Sequence, residues 1–341
     1  MARHLITGGS GFLGNLIARR LLEAGEEVRV LDIWRDSSQP TEIQFFKSDI
    51  RDVEKVSKAM KNCDFVHHNV ALVPLTKSGK DFWEVNVKGS EIAAEMAKRN
   101  NVSSFIHMSS SAIFGAPSKL PINKDTVPTP IEIYGRGKLA GEKAVRKSLS
   151  GANSNLVVIR PRTILGPGRL GIFQILFQWI SEGKNVYTIG NGNNLFQFVH
   201  AHDLMDAYML AIKENKSLEL NVGTEDFGTL KDALQNLINY AKSDSKVLHL
   251  PVLPTIAGLK VADKLRISPL APWHYLTYHK PFYFDLGPLK EIGWSSRYSN
   301  DEMLSEAFRT FREQKFMITQ SKSPHRKAIS GGVLNLLKRF S

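Results

Sequence analysis

The sequence of 341 residues predicts an α/β protein, a doubly wound parallel sheet with a smaller C-terminal substrate-binding region. Three observations predict it. Short apolar runs alternate with amphipathic helical patterns through the first half, as expected of parallel strands covered on both faces. A glycine-rich turn from Gly8 to Gly14 joins the first run to the first helical pattern. After about residue 165 the alternation lapses, and the chain turns to helices and a stretch rich in Pro, Leu and Trp.

The elements follow in order. Leu5-Ile6-Thr7 reads as a strand, Phe12 to Leu22 as a helix and the Val-rich Glu27 to Asp32 as a second strand. Val53 to Met60 has helical period, Phe65 to Val70 is a strand, and Phe82 to Arg99 is a long helix. Ser104 to Met108 and Leu156 to Arg160 are strands on either side of a helix from Tyr134 to Leu149. Beyond the loop Gly166-Pro167-Gly168, helices are expected at Ile172 to Ile180, Asp203 to Ala211 and Thr229 to Tyr240, while Leu248 to His279 shows no clear period. The division expected is a dinucleotide-binding unit over 1–165, joined by strands from about 196–222, then a mainly substrate-binding region over 166–312 and a basic tail over 313–341.

Composition narrows the function. Hydrophobic residues are 42% and charged residues 23%, which excludes wholesale disorder, a collagen-like repeat and a disulfide-stapled scaffold. The single cysteine, Cys63, allows no intrachain disulfide, so a reducing, cytoplasmic setting is expected. Four residues precede Leu5, so no secretory leader is expected, and no apolar run reaches the length of a membrane span. Net charge is +12, of which residues 309–341 carry eight Lys/Arg against Glu313. The body is only mildly basic, so no nucleic-acid partner is expected. Val333 to Phe340 is amphipathic and suits peripheral contact with an anionic membrane, the alternative being a frayed, solvated tail.

Gly8, Gly11 and Gly14 lie between a strand and a helix, with Phe12 and Leu13 opening that helix. A dinucleotide pyrophosphate needs close backbone approach and free helix N-terminal amides, and glycine permits both. Asp32 ends the next strand, where a carboxylate accepts from ribose hydroxyls and repels a 2′-phosphate, which favours NAD over NADP. Arg35, three residues on, could blunt that preference. Tyr134 and Lys138 stand four apart, on one face of a helix. A nearby ammonium favours phenolate, and such a tyrosine can take a proton from an alcohol as hydride leaves for the cofactor. Ser109-Ser110-Ser111 closes a strand between the two motifs.

In these ordered motifs, over about residues 3–312, the chain resembles the extended short-chain dehydrogenase/reductase superfamily. That group includes NAD-dependent epimerases and dehydratases and 3β-hydroxysteroid dehydrogenase-like enzymes. The resemblance implies a Rossmann-type sheet, NAD as cofactor, a small-molecule substrate and a homodimer formed through the helices at about 82–99 and 134–149. It implies that Gly8, Gly11, Phe12, Leu13 and Gly14 hold the pyrophosphate, Asp32 the ribose, and Asp49 and Ile50 the adenine. Val70 and Ala71, ending Asp64-Phe65-Val66-His67-His68-Asn69-Val70-Ala71, would line the cofactor, as would Asn86 of Asn86-Val87-Lys88-Gly89-Ser90. Tyr134 and Lys138 match the catalytic pair. The family's catalytic Ser/Thr falls five residues before a glycine, here Gly115, which selects Ser110 with Ser111 as runner-up.

The match departs from the pattern at three places. No acid follows the serine run, which disfavours a dehydratase. Thr163 stands where many sugar-nucleotide enzymes carry Asn, and Phe196 where several carry Arg on the diphosphate; Arg162 and Arg169 are candidates to compensate, so Ser111, Arg162, Thr163 and Arg169 form the candidate substrate set. Trp273, Tyr275, Phe282 and Phe284 make either an apolar substrate wall or ordinary core. His200, His202 and Asp203 lack a third ligand at metal spacing, so no metal is expected, and Asp203 is expected to cap the helix after it. Three functions remain open: epimerisation of a sugar through a transient ketone, oxidation of an apolar secondary alcohol, and a non-catalytic NAD-sensing module.

Overall fold

The computed structural model describes residues 1–73, 81–169, 172–265, 267–268 and 270–313. Expectations about the basic tail from residue 314 onward lie outside the described residues. The strands are β1 (Arg3–Thr7), β2 (Glu27–Asp32), β3 (Gln44–Lys47), β4 (Phe65–His68), β5 (Ser104–Met108), β6 (Asn155–Pro161), β7 (Thr163–Leu165), β8 (Val186–Ile189), β9 (Phe198–His200), β10 (Leu218–Val222) and β11 (Val247–Leu250). Seven of them form one sheet in the order β3-β2-β1-β4-β5-β6-β10, and every neighbouring pair is parallel. The order reverses between β1 and β4, and in such sheets the crevice at the strand C-termini beside that reversal takes the ligand.

Period-two alternation builds two cores from these strands. Ile6, Val28, Val30, Ile106 and Met108 face the helices Phe12–Glu23 and Ala201–Lys213. Leu5, Leu31, Val66 and Phe105 face the helices Val53–Met60, Gly89–Arg99 and Ile133–Ser148. A third cluster, with Phe177, Phe198, Leu237 and Phe308 at its centre, joins the helices Phe173–Ser181, Leu230–Ala241 and Asn300–Glu313.

Four histidines run through the sheet interior. His4 Nδ1 lies 2.9 Å from His67 Nε2, and His67 Nδ1 lies 2.7 Å from the Tyr208 hydroxyl. His68 bonds Thr7 and Ser90, at 2.8 and 2.9 Å. His107 stacks on His68 with centroids 5.6 Å apart, and neither of its ring nitrogens has a partner among the described residues. Burial holds His67, His68 and His107 well below the ordinary histidine pKa.

Some elements differ from expectation, for physical reasons. β3, β7, β9 and β11 carry no regular alternation, and Val252–Lys264, a helix inside the stretch without clear period, buries only Ala262. A helix with almost no buried face leaves no amphipathic signal. The helix expected from Asp203 starts at Ala201, capped by His200, whose ring accepts from His202 N–H at 3.3 Å. Asp203 is therefore not the cap: its carboxylate accepts from the backbone N–H of Arg297 and Tyr298, at 3.1 and 3.2 Å, and ties down that distant loop. His200 also lies 2.8 Å from Glu306.

Candidate active site

A cavity of about 560 Å³ opens at the strand C-termini and runs from the glycine turn to Tyr278. At one end, Gly8 has φ of +71°, and a Cβ there would lie 2.8 Å from Val70 N. A Cβ on Gly14 would lie 2.3 Å from the Gly8 carbonyl oxygen, so the helix can start flush against the turn only with glycine. Gly11 caps that helix without a side-chain bond, and the first turn holds no acid. Phe12 and Leu13 also line the cavity. Uncapped amides and the positive end of the helix dipole are left for an anion, which fits a dinucleotide pyrophosphate. Gly14→Ala is expected to weaken NADH binding about tenfold or more, read by fluorescence titration; unchanged affinity would remove this assignment.

Asp32 lines the same end, its two oxygens accepting from Ser10 N–H at 3.0 Å and Ile33 N–H at 2.8 Å. Burial raises its pKa against those bonds. Arg35 turns away, donating to the carbonyls of Pro40 and Ile43, which leaves the carboxylate to face the cavity without it. Asp49 and Ile50 line the next wall, and Arg51, 2.8 Å from Asp49, holds that carboxyl below its usual range. Val70 and Ala71 follow β4 into the cavity. Asn86 does not reach it: its carboxamide accepts from Leu72 N–H at 2.7 Å and donates to Leu72 C=O at 3.0 Å. It holds the lining loop rather than touching what the loop holds. It does so from a π-helical turn, Glu84–Lys88, between Asp81–Trp83 and Gly89–Arg99.

Glu132 opens the tyrosine helix by accepting from the backbone N–H of Tyr134 and Gly135, both at 2.7 Å. A Cβ on Gly135 would lie 2.3 Å from Ala112 C=O, so this glycine lets the helix lie against the Ser111–Phe114 turn. One turn beyond Lys138, Glu142 grips Arg160 of β6 through two bonds of 3.0 and 2.7 Å. That buried, bidentate pair fixes the helix to the sheet. Tyr134 and Lys138 both line the cavity.

The three serines separate. Ser109 donates to Glu142, Ser110 accepts from Ala112 N–H at 3.2 Å and lies near enough to the Tyr134 phenol to favour its ionised form, and Ser111 accepts from Arg162 at 3.2 Å. Lys138 donates to Met108 C=O at 2.9 Å, and burial pushes its pKa down to about 8. This corrects the expectation that Lys138 makes the phenol acidic. Burial raises the Tyr134 pKa, and the offsets come from Ser110 and the Arg169 guanidinium.

At the far end, Arg162 follows β6 as the chain leaves the sheet, and Thr163 and Arg169 line the cavity with it. Arg169 lies over the Phe12 ring, 5.4 Å from its centroid. Trp273, His274 and Tyr278 complete the wall. Tyr275, Phe282 and Phe284 are buried packing residues, so the aromatic stretch divides between wall and core. His274 and Tyr278 carry no motif; Trp34 and Asn69, also in the lining, sit beside Asp32 and within the Asp64–Ala71 segment, where they could have been found.

Residues 4–223 match the model of the NAD dependent epimerase/dehydratase family. The chain is 38% identical over 325 residues to uncharacterized protein y4nG of Sinorhizobium fredii, covering 95% of this chain and 82% of that one. It is 24% identical over 338 residues to the human sterol-4-alpha-carboxylate 3-dehydrogenase, decarboxylating, covering 91% and 88%. Among solved structures, UDP-glucose 4-epimerase of Thermotoga maritima with UDP-glucose superposes with a TM-score of 0.75 at 23% identity, covering 92% of this chain and 99% of that one.

Proposed function

Because this chain belongs to the NAD dependent epimerase/dehydratase family, we propose that it oxidises a secondary alcohol beside Tyr134 and returns the hydride to epimerise a sugar held on a nucleotide or another glycosyl carrier. One observation carries the reading: Ser110, Tyr134 and Lys138 stand on one cavity that begins at an uncapped glycine turn. NAD is the cofactor, and Gly8, Gly11, Gly14 and Asp32 fit it; when bound it supplies the hydride acceptor. The rest falls to this chain's side chains. Ser110 holds the substrate hydroxyl, and Tyr134 takes its proton and gives it back. Lys138 binds the cofactor's ribose in this reading, which its hold on Met108 C=O in the cavity wall supports.

A second reading, net oxidation of a sterol-like alcohol, draws on Trp273, Tyr278 and Phe173 in the wall and on the sterol dehydrogenase relative. The NAD-loaded protein is expected to convert a UDP-sugar to its epimer with no net NADH, followed by chromatography and NADH absorbance. NADH accumulation with a 3β-hydroxysterol, and no epimer from any UDP-sugar, would reverse the choice.

A further inference from the structure

Arg162 is among the largest side chains fully buried in the protein, yet it meets no carboxylate among the described residues. Its Nε donates to Gln197 C=O at 2.9 Å and its Nη1 to Ser111 Oγ at 3.2 Å, while Nη2 has no partner among the described residues. Two aromatic rings lie against the guanidinium, Phe282 with its centroid 4.0 Å away and Phe196 at 4.8 Å. Aromatic faces offset part of the cost of burying a cation, but an unpaired N–H edge remains expensive. The acids of the cavity lining, Asp32 and Asp49, stand at its opposite end. Arg169 lies over Phe12 on the glycine-turn side.

Position narrows what can complete the edge. Ser111 follows Ser110 directly, and consecutive Cα atoms are about 3.8 Å apart. Ser110 and Arg162 line the same cavity and the serine that Arg162 bonds is the next residue, so the guanidinium and a hydroxyl held by Ser110 share that part of the cavity. A diphosphate several bonds from the reacting carbon would lie farther off. We propose that the substrate carries a carboxylate on the carbon next to its carbinol, and that Arg162 receives it. This rests on the proposed roles of Ser110 and Tyr134 and adds the substrate class. The ligand is a β-hydroxy acid, whether a uronic acid on a nucleotide or a carboxylated sterol-like alcohol.

Binding separates this from the proposed reaction, because it needs no turnover. The NAD-loaded protein is titrated calorimetrically with two matched pairs: UDP-glucuronate against UDP-glucose, and a 3β-hydroxysterol 4α-carboxylate against its 4α-methyl counterpart. In one pair the acid is expected to bind about tenfold or more tightly than its neutral twin, which also identifies the source. Arg162→Met should erase that gap and Arg162→Lys keep part of it, with the same gap seen in a Tyr134→Phe background. Equal binding within both pairs, binding of neither acid, or a gap that survives Arg162→Met would overturn the proposal. Should Arg162→Met not fold, the comparison within each pair on the unaltered protein still decides. Failure of the epimerase reading would appear in turnover and leave this gap in place.

Discussion

Tyr134→Phe is expected to lower kcat by about 10²–10⁴-fold while NADH affinity stays within about twofold, measured by single-turnover kinetics and fluorescence titration. The phenol reaches the cavity from a helix that is capped by Glu132 and gripped by Arg160, so removing one oxygen leaves the scaffold in place. Ser110 and Arg169 both act on that oxygen, and neither supplies an alternative base. The glycine turn proposed for the cofactor's pyrophosphate, Gly8 to Gly14, lies apart from Tyr134 in the sequence, so affinity should be nearly blind to the change. Unchanged turnover would end the enzymatic assignment of Tyr134.

The second large effect is on stability in acid. His67, His68 and His107 are kept neutral by burial, whereas in an unfolded chain each titrates near pH ~6.5. Below that pH the unfolded chain binds more protons, so the stability present at higher pH is lost as pH falls toward the folded-state values. Once the unfolded histidines are charged, three of them give a slope of about 4 kcal/mol per pH unit. Asp32, Glu132 and Asp203, whose carboxyls burial raises, work in the opposite sense, but nearer the carboxylate range. Urea midpoints between pH ~7 and ~5 should fall steeply. His107→Phe, which keeps a ring against His68 and removes two nitrogens without a partner among the described residues, should take one proton's share, about 1.4 kcal/mol per pH unit, off the slope without loss at high pH. Midpoints that do not move with pH would contradict the account.

Much of the sheet was legible because its strands are buried on both faces and its helices on one, so periodicity reports them directly. Glu27–Asp32, Val53–Met60 and Ser104–Met108 have the limits expected from pattern alone. Val252–Lys264 was not legible, because a helix that buries one small residue has no stripe to read. In the site, the glycine turn and the Tyr134–Lys138 spacing are local, and the sequence shows them. Arg162 is a different case. Its position suggested substrate, but what isolates it comes from Phe196, Gln197 and Phe282, far along the chain. The same limit applies to Lys138: spacing places it on the face of Tyr134, but only the fold sends its amine to Met108 and desolvates the phenol.

The Glu142–Arg160 grip has a consequence for how such a protein can change. The helix that carries Tyr134 and Lys138 is bolted to the sheet, whereas Trp273, His274 and Tyr278 come from a short helix and the turn after it, outside that sheet. Mutations there can reshape what is accepted without loosening the machinery that reacts with it, so new specificities can be sampled while the chemistry is inherited intact.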